Sequence, residues 1–244
     1  MRLAEIWRHP IKGHGREALD GFDIAEDGTV PGDRVWAVVH ETSKQRGAEW
    51  APAANFQRGA KLPALMAITA ESGTDAVTLH HPERPDLTFD PDGDNRVFLD
   101  WIAPLLDPGR ASPTGIVRSA ERGYTDTDFP SISLNNVASL DALAAHMGRD
   151  LSRHRWRGNL WIDGAAPWVE FEWIGREVAL GTARFRVAER ITRCRATMAD
   201  PETGRIDGDT LGALEGGWGH RDFGVYLTCI APGRVETGDE LVLQ

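Results

Sequence analysis

Cysteine is scarce in this chain: Cys194 and Cys229 are the only two among 244 residues. Two thiols cannot form a disulfide-stabilised scaffold, nor can one chain with two cysteines build a four-cysteine zinc or iron–sulfur site. A single Cys194–Cys229 bridge stays open at this point, although a reducing cytoplasm disfavours it. The fold therefore depends on packing, for which a hydrophobic content of 41% is ordinary.

Long apolar runs are absent as well. No segment approaches the roughly 18 residues that a membrane-spanning helix needs, and the start, MRLAEIWRHP, carries charges where a secretory signal is apolar. We therefore expect a cytoplasmic protein that does not bind membranes. The net charge of −10 argues against general nucleic-acid binding, because only local patches could attract phosphates.

Lysine is the third scarce residue: Lys12, Lys44 and Lys61 stand against 24 arginines. Biased codon usage explains such a ratio, but arginine forks also suit planar anions and phosphates. Composition alone favours the first explanation.

Most of the hydrophobic periodicity has period two, which is typical of half-buried strands. Val169–Trp173 alternates apolar and acidic side chains in this way. Further predicted strands are Ala4–Trp7, Val35–His40, Leu65–Thr69, Ala76–His80, Leu160–Asp163, Phe185–Ile191, Phe223–Ile230 and Leu241–Leu243. Many short strands separated by Gly, Pro and Asp turns predict a barrel or sandwich, so the expected fold class is mainly β with a few helices (α+β).

Two helices interrupt the strands. Val97–Leu106 repeats apolar residues at helical spacing after the potential cap Asp94, and Val137–Met147 does so after an asparagine. The predicted caps of the second helix are Asn135 or Asn136 at its start and Gly148 at its end. The polar stretch Asp107–Gly115 predicts a boundary between domains of residues 1–106 and 116–244.

The first candidate site is the loop His9–Gly15. Its glycines formally match a dinucleotide-binding fingerprint, but that motif must open a helix and this chain continues into a turn, so we reject it. Lys12 and Gly13 can instead present an ammonium group and backbone N–H groups to a phosphate. An ordinary turn with a solvated lysine is the alternative.

The second candidate is the basic segment Arg149–Asn159. If it is extended, Arg153, Arg155 and Arg157 share one face, where an anion or nearby carboxylates must offset their charges. A phosphate is one natural partner. A surface strand facing acidic neighbours such as Glu170 and Glu172 is the other interpretation.

The third candidate is Cys194, which lies between two arginines in ITRCRATMADPETG. The arginines would favour its thiolate only in a loop or bulge, since neighbours in a strand point to opposite faces. A nucleophilic triad is the competing use, but none of the eight histidines lies in a signature that ties it to Cys194. Cys229 alternates with apolar residues and is predicted to be a core side chain.

Six short motifs in order resemble one known family. In the second half they are the Cys194 segment, Arg157-Gly158-Asn159, Phe223-Gly224-Val225-Tyr226 and Gly238-Asp239-Glu240-Leu241, and in the first half His9-Pro10-Ile11-Lys12 with Gly32-Asp33-Arg34-Val35-Trp36. The second half resembles the molybdenum cofactor sulfurase C-terminal (MOSC) domain and the first half its N-terminal β-barrel partner. The resemblance covers nearly the whole chain and implies a β-barrel-like domain packed on a MOSC β-barrel.

Within this family, the chain is similar to the amidoxime-reducing proteins and their bacterial counterparts, which hold a pyranopterin molybdenum cofactor and reduce N-hydroxylated compounds. The family's metal-ligating cysteine corresponds to Cys194. Its cofactor contacts correspond to Lys12, Arg34, Arg157, Asn159, Thr192 and Arg193, and we add Gly13, Arg153 and Arg155 as further contacts to the phosphate. Soft sulfur ligands suit molybdenum, with two sulfurs from the dithiolene and one from Cys194.

The chain departs from the family pattern at three places. Gly13 replaces the serine that usually follows the lysine, and Gly158 replaces a proline. The stretch Gln45–Lys61 does not follow the expected pattern, which predicts a different pocket mouth and a different substrate.

The resemblance implies a reductase whose electrons come from a separate partner, either ferredoxin-like or a b-type cytochrome with a flavin reductase, because two cysteines cannot build an iron–sulfur relay. We expect a small-molecule substrate and no iron–sulfur cluster, haem or zinc. A carrier of sulfur or molybdenum cofactor without redox activity is the alternative, and a β-barrel that binds a small molecule without molybdenum is a third. A pyridoxal phosphate role is discounted, since no lysine lies in the second half.

Overall fold

The computed structural model describes residues 1–45 and 47–244, and Arg46 lies outside the described residues. In chain order the strands are β1 (Arg2–Arg8), β2 (Ile11–Lys12), β3 (Glu17–Leu19), β4 (Gly21–Ile24), β5 (Trp36–His40), β6 (Thr69–Ser72), β7 (Val77–His81), β8 (Arg84–Phe89), β9 (Pro113–Arg118), β10 (Ile132–Asn136), β11 (Leu160–Asp163), β12 (Glu177–Leu180), β13 (Ala183–Thr192), β14 (Asp222–Ala231), β15 (Gly233–Glu236) and β16 (Leu241–Leu243). The α-helices are α1 (Arg96–Ile102), α2 (Val137–Met147) and α3 (Thr210–Trp218). The 3-10 helices are Ala53–Asn55, Pro63–Ala67, Ala103–Leu105, Arg153–Trp156, Val169–Trp173 and Arg195–Met198. The predicted mainly β class is confirmed.

Eight strands form the main sheet, in the order β16-β12-β13-β14-β10-β11-β1-β3. The sheet closes on itself because the two ends of the chain meet: Leu241 N donates to Met1 O (3.0 Å) and Gly238 N donates to Leu3 O (2.8 Å). The inward side chains of β14 are fully buried, namely Phe223, Val225, Leu227 and Cys229. This alternation is the one the sequence predicts, and it places Cys229 in the core.

The rest of the first half contains two three-stranded sheets, β2-β5-β9 and β6-β7-β8. Their apolar side chains and those of α1 make a second core, in which Phe89 and Phe98 stack with 5.1 Å between ring centroids. Strands of each predicted domain pair with strands of the other. Strands β1 and β3 join the main sheet, whereas β9, which begins inside Asp107–Gly115, pairs with β5. The division into residues 1–106 and 116–244 stays a prediction.

Helix α2 begins and ends where its caps predict. Asn136 Oδ1 accepts a hydrogen bond from Ala138 N at 3.0 Å, and Gly148 ends the helix at a left-handed φ of +65°. Helix α1 also forms, but its N-cap residue is Asn95 and not the predicted Asp94, whose Oδ1 accepts from Arg96 N at 3.1 Å. Its α-helical part stops at Ile102 and continues as a 3-10 turn, because Pro104 has no N–H to donate.

Two strand predictions are wrong. Val169–Trp173 forms a 3-10 helix, because Trp168 adopts a left-handed φ of +65° that breaks the extended chain before it. Five alternating residues cannot distinguish the two structures, and the buried acid Glu170 is bonded inside the domain rather than exposed. The first part of Leu65–Thr69 belongs to the 3-10 helix Pro63–Ala67, and only Thr69 starts a strand.

The basic segment is not extended either. Ser152 Oγ accepts from His154 N (3.3 Å) and begins the 3-10 helix Arg153–Trp156, which ends at Arg157 with a left-handed φ of +47°. Side chains on such a tight turn diverge, so the three arginines do not share one face. None of the helices in the described part of the chain is long and apolar enough to cross a membrane.

Candidate functional site

A pocket with a cavity volume of about 280 Å³ lies where the two halves of the chain meet. Nine of the ten site residues named from the sequence line it: Lys12, Gly13, Arg34, Arg155, Arg157, Asn159, Thr192, Arg193 and Cys194. The tenth, Arg153, does not. Its guanidinium donates to Glu5 Oε1 at 2.7 Å on the outer side of the barrel, because the tight turn directs it away from the pocket.

Lys12 enters the pocket from β2 and is only 4% exposed. Its Nζ donates to Tyr124 O (2.8 Å) and pairs with the carboxylate of Asp126. Burial lowers the pKa of Lys12, and the Asp126 charge partly opposes that effect. Burial alone would raise the pKa of Asp126, but the charges of Lys12 and Arg34 outweigh it and hold that pKa well below its usual range.

Gly13 has the left-handed φ of +78° that favours glycine, and its surroundings leave no room for a side chain. A Cβ there would lie 2.7 Å from Gln57 O and 3.1 Å from the Cα of Arg58. Two departures from the family pattern are therefore coupled: Gly13 replaces serine where the altered stretch 45–61 packs directly against it. Within that stretch, Arg46 lies outside the described residues.

Arg34 connects the halves across the pocket. Its Nη1 pairs with Asp33, and its Nη2 donates to Arg157 O at 3.1 Å. Asp33 also accepts a hydrogen bond from His9 N at 2.8 Å. Burial and the nearby charge of Arg157 lower the pKa of His9 to about 3, so this histidine is neutral and structural. Arg34 and Asp33 form a compensated pair.

Arg157 has no such partner. Its Nη1 donates to the neutral oxygen Gly15 O at 3.2 Å, and its Nη2 is buried without a hydrogen-bond partner. Burial and the charge of Arg34 lower the pKa of Arg157 to about 9. Asn159, two residues on, is held rigidly, since its Oδ1 accepts from Ser133 Oγ (2.9 Å) and its Nδ2 donates to Trp7 O (3.1 Å).

Arg193 is bonded only to neutral acceptors. Its guanidinium donates to Phe223 O (2.7 Å), Trp156 O (2.9 Å) and Asn135 Oδ1 (2.7 Å). It also lies 5.5 Å from the ring centroid of Trp156. Burial lowers the pKa of Arg193 to about 10. A second positive charge thus lies in the pocket wall without a carboxylate, while the neighbouring Thr192 Oγ1 donates to Asp222 (2.6 Å).

Cys194 lies two residues after the end of β13, at the N-cap position of the 3-10 helix Arg195–Met198. It lies in the turn that its electrostatic interpretation requires, and its side chain is exposed. Thr197 Oγ1 donates to Cys194 O (3.1 Å) and bonds Thr210 Oγ1 (2.7 Å), which fixes the turn on α3. Neither cysteine is in a disulfide, and buried Cys229 lies in the barrel core.

The pocket has an excess of positive charge and of unpaired N–H donors. Among the described residues, Arg157 and Arg193 form no ion pair with a carboxylate. Three consecutive lining residues each keep a buried donor without an acceptor: Arg155 Nε, Trp156 Nε1 and Arg157 Nη2. Buried donors that lack protein acceptors require another partner, and an anion satisfies both the charge and the donors. The residues present therefore fit a phosphate-bearing cofactor beside an exposed thiol.

Sequence reasoning missed several pocket residues. Asp126 lies 114 positions from Lys12 along the chain, and Arg58 belongs to none of the family motifs. Tyr226 ends the Phe223-Gly224-Val225-Tyr226 motif but was not named as a site residue, so that motif was the available signal. Burial and the charge of Asp126 raise the pKa of Tyr226 to about 12, so its phenol stays protonated. Among the described residues, no group of three or more His, Cys, Asp or Glu side chains is arranged to hold a metal ion.

Two curated proteins are similar to most of this chain. The mitochondrial amidoxime reducing component 2 of Bos taurus is 22% identical over an alignment 242 positions long, and that alignment covers 84% of this chain and 68% of that protein. The mitochondrial amidoxime-reducing component 1 of Mus musculus is 21% identical over an alignment 290 positions long, and that alignment covers 99% of this chain and 82% of that protein. Among solved structures, the YUAD protein from Bacillus subtilis has a TM-score of 0.48 at 12% identity, covering 98% of this chain and 93% of that chain.

The family assignment comes from both halves of the sequence. Residues 1–99 match the MOSC N-terminal beta barrel domain, and residues 124–242 match the MOSC domain. The matches follow one another in the order that the motifs predict, and together they leave only a short connecting stretch and the last two residues outside. This chain belongs to the MOSC domain family and carries the N-terminal beta barrel domain of that family.

Proposed function

We propose that this protein is a molybdenum-cofactor-dependent reductase of small N-hydroxylated molecules such as amidoximes. The observation that supports it most is the pocket, where uncompensated guanidinium groups and unpaired N–H donors lie beside the exposed thiol of Cys194. The names of the two mitochondrial relatives suggest the substrate class.

The cofactor is held by two groups of residues in this proposal. Lys12, Arg34 and Arg157 supply cations, with the backbone N–H of Gly13, for the phosphate. The remaining contacts come from Arg155, Asn159, Thr192 and Arg193, which line the same pocket. Cys194 supplies a thiolate to the metal, because soft sulfur ligands suit molybdenum. Arg153 has no role in the pocket, since its charge is paired with Glu5.

When bound, the cofactor would supply the two-electron redox chemistry that the reduction requires. Overall, an amidoxime takes up two electrons and two protons, its N–O bond breaks, and the amidine and water are released. The electrons come from a separate redox protein, either ferredoxin-like or a b-type cytochrome with a flavin reductase. The cytoplasmic location stays a prediction, and both curated relatives are mitochondrial by name.

The protein's own groups bind and orient rather than transfer protons. Asp126 stays ionised beside Lys12 and Arg34, so at neutral pH it accepts hydrogen bonds and has no proton to give. Burial and the charge of Asp126 raise the pKa of the Tyr226 phenol to about 12, so it keeps its proton at neutral pH. No histidine is among the described residues that line the pocket. We therefore assign the two protons to solvent.

The test is metal analysis of protein expressed in a host that makes the cofactor. We expect near-stoichiometric molybdenum in the wild type and a background level in Cys194→Ala. Cys229→Ala is the matched control, because that thiol is buried away from the pocket and its loss leaves the metal content unchanged. Activity is then measured with benzamidoxime and a chemical electron donor. Wild-type protein without molybdenum under these conditions would overturn the proposal.

A carrier of sulfur or molybdenum cofactor is the second candidate, and the exposure of Cys194 favours it, since a transfer thiol must be reached by a partner. The same experiment separates the two functions. A reductase converts benzamidoxime to benzamidine with the donor, whereas a carrier holds molybdenum or a persulfide on Cys194 and shows no turnover.

A further inference from the structure

Arg58 lines the pocket, but it is not among the residues assigned to the cofactor. It lies between the 3-10 helices Ala53–Asn55 and Pro63–Ala67, in the stretch that departs from the family pattern. Its side chain is half-buried. Its guanidinium makes no ion pair, hydrogen bond or ring contact with any residue that the structure describes. Five N–H donors are therefore available in the pocket without a protein acceptor.

The backbone that carries Arg58 is fixed. Lys61 N and Leu62 N both donate to Arg58 O, at 3.1 and 3.2 Å. On one side the segment packs on Gly13, where a Cβ would come within 3.1 Å of the Cα of Arg58. The side chain therefore starts from a defined point and needs only rotamer adjustment to meet a ligand, which keeps the entropic cost of binding low.

The segment also lies close to the proposed metal side of the pocket. A Cβ on Gly59 would lie 3.6 Å from the Cβ of Ala196, which is two residues after Cys194. Lys12, Arg34 and Arg157 by contrast are tied to one another and to the barrel through Asp126, Asp33 and Gly15. The segment that carries Arg58 thus contacts Gly13 at one end and approaches the Cys194 turn at the other, where a substrate has to bind.

We propose that Arg58 binds a carboxylate on the substrate, so that the protein prefers anionic N-hydroxylated compounds to neutral ones. This inference rests on the proposed reductase function and names its substrate class. A guanidinium fork matches a carboxylate through two parallel charge-assisted hydrogen bonds. The surplus of positive charge in the pocket adds to the preference, because it attracts anions from solution, and the pocket carboxylate of Asp126 is paired with Lys12 and not with Arg58.

The probes are benzamidoxime and 4-carboxybenzamidoxime, which share the reacting group and differ by one carboxylate. Molybdenum-loaded wild type, Arg58→Gln and Lys61→Gln are compared in two assays: kcat/KM with a chemical electron donor, and Kd by calorimetry without the donor. Lys61→Gln is the matched control, since it removes one positive charge from the same segment, is exposed and lies outside the pocket.

We expect the wild type to prefer the carboxylated probe, and Arg58→Gln to reduce that preference about tenfold or more in both assays, through KM rather than kcat. Lys61→Gln keeps the preference, and molybdenum content is the same in all three proteins. Equal loss for both probes, or a drop in molybdenum in Arg58→Gln, overturns the inference while the reductase proposal stands. Turnover of neither probe overturns the reductase proposal, and the Kd values then still decide whether Arg58 binds the carboxylate.

Discussion

Arg155 and Arg157 lie two residues apart in the chain, but only the first is paired with a carboxylate. Arg155 is 3% exposed and donates through both Nη atoms to Asp207 at 2.6 and 2.8 Å, where Arg149 also binds. Arg157, two residues on, donates to a carbonyl and leaves Nη2 unpaired. Asp207 thus compensates the charge of Arg155, which leaves only its Nε without an acceptor, whereas the charge of Arg157 lacks an anion among the described residues.

The partner of an arginine, and not its burial, therefore distinguishes a structural role from a binding role. Asp207 lies in the loop that follows the Cys194 turn, so the Arg155 pair ties that loop to the barrel. Breaking such a pair leaves a carboxylate with reduced compensation and lowers stability. Removing an arginine that has no carboxylate partner instead reduces the repulsion between positive charges in the pocket, so it weakens ligand binding without lowering stability.

Arg157→Gln is expected to have the largest effect, because it removes the uncompensated charge and the unpaired donor together. Charge-assisted hydrogen bonds to a phosphate are worth ~1.5–3 kcal/mol each, so molybdenum retained after gel filtration falls about tenfold or more. The unfolding midpoint of the cofactor-free protein stays the same or rises. Arg153→Gln is the control from the same segment, and a variant at position 157 that keeps its full molybdenum would break the comparison.

Arg155→Gln is expected to act on stability. Asp207 then keeps only the partly exposed Arg149, and the free energy of unfolding falls by about 2–3 kcal/mol. Urea denaturation of cofactor-free protein measures this change. Arg153→Gln again serves as the control, since its pair with Glu5 is about one-third exposed on both sides and contributes about 1 kcal/mol or less. If Arg153→Gln and Arg155→Gln lower the free energy of unfolding equally, the buried pair with Asp207 is no stronger than the exposed pair with Glu5, and the prediction is wrong.

Gly13→Ser sharpens the comparison by testing shape in place of charge. The positive φ contributes about 1 kcal/mol of strain, and the 2.7 Å approach to Gln57 O adds about 1–2 kcal/mol more. Gly148→Ser isolates the first part, because its φ is +65° and nothing lies within 4 Å of a Cβ there. We expect Gly13→Ser to be the less stable of the two by denaturant unfolding. If the two variants lose the same free energy, the 57–58 backbone does not crowd Gly13.

Glu170 is the converse case, a buried carboxylate without a cationic partner in the described part of the chain, and its substitution has the smallest expected effect on stability. Burial raises the pKa of Glu170 above 4.5, although hydrogen bonds from Asn136 and Ser139 oppose the shift. A carboxyl group whose pKa is higher in the folded state stabilises the fold most below pH 4.5 and loses that contribution as pH rises through the folded pKa. Glu170→Gln should therefore gain up to about 1 kcal/mol over the wild type between pH 4 and 8, and the exposed Glu172→Gln should not.

The sequence correctly predicted the features that depend on interactions between residues close together in the chain. The cap at Asn136, the end of α2 at Gly148 and the buried face that includes Cys229 depend on neighbours within a few residues. The motif resemblance likewise named residues that the fold gathers around one pocket. These predictions needed no knowledge of distant contacts.

Two of the errors came from positions where a single backbone angle decides the structure. The left-handed φ values of Trp168 and Arg157 fix the turns of Val169–Trp173 and Arg153–Trp156. Positive φ values are uncommon for tryptophan and arginine, so the sequence gives no reason to expect them. Asp126 and Arg58 were missed for another reason: they reach the pocket only through pairings between distant parts of the chain. Spacing in sequence carries no information about such contacts.

The closure of the barrel by the two chain ends has a consequence for dissecting this protein. Strand β1 covers the edge of β11, and the backbone of Met1–Leu3 bonds residues 238–241 next to β16. A fragment without the first residues would leave two unprotected strand edges whose N–H and C=O groups pair with other chains. The second half therefore lacks autonomy, and its excision should yield aggregates, whereas a circular permutant that joins the adjacent ends keeps every strand paired.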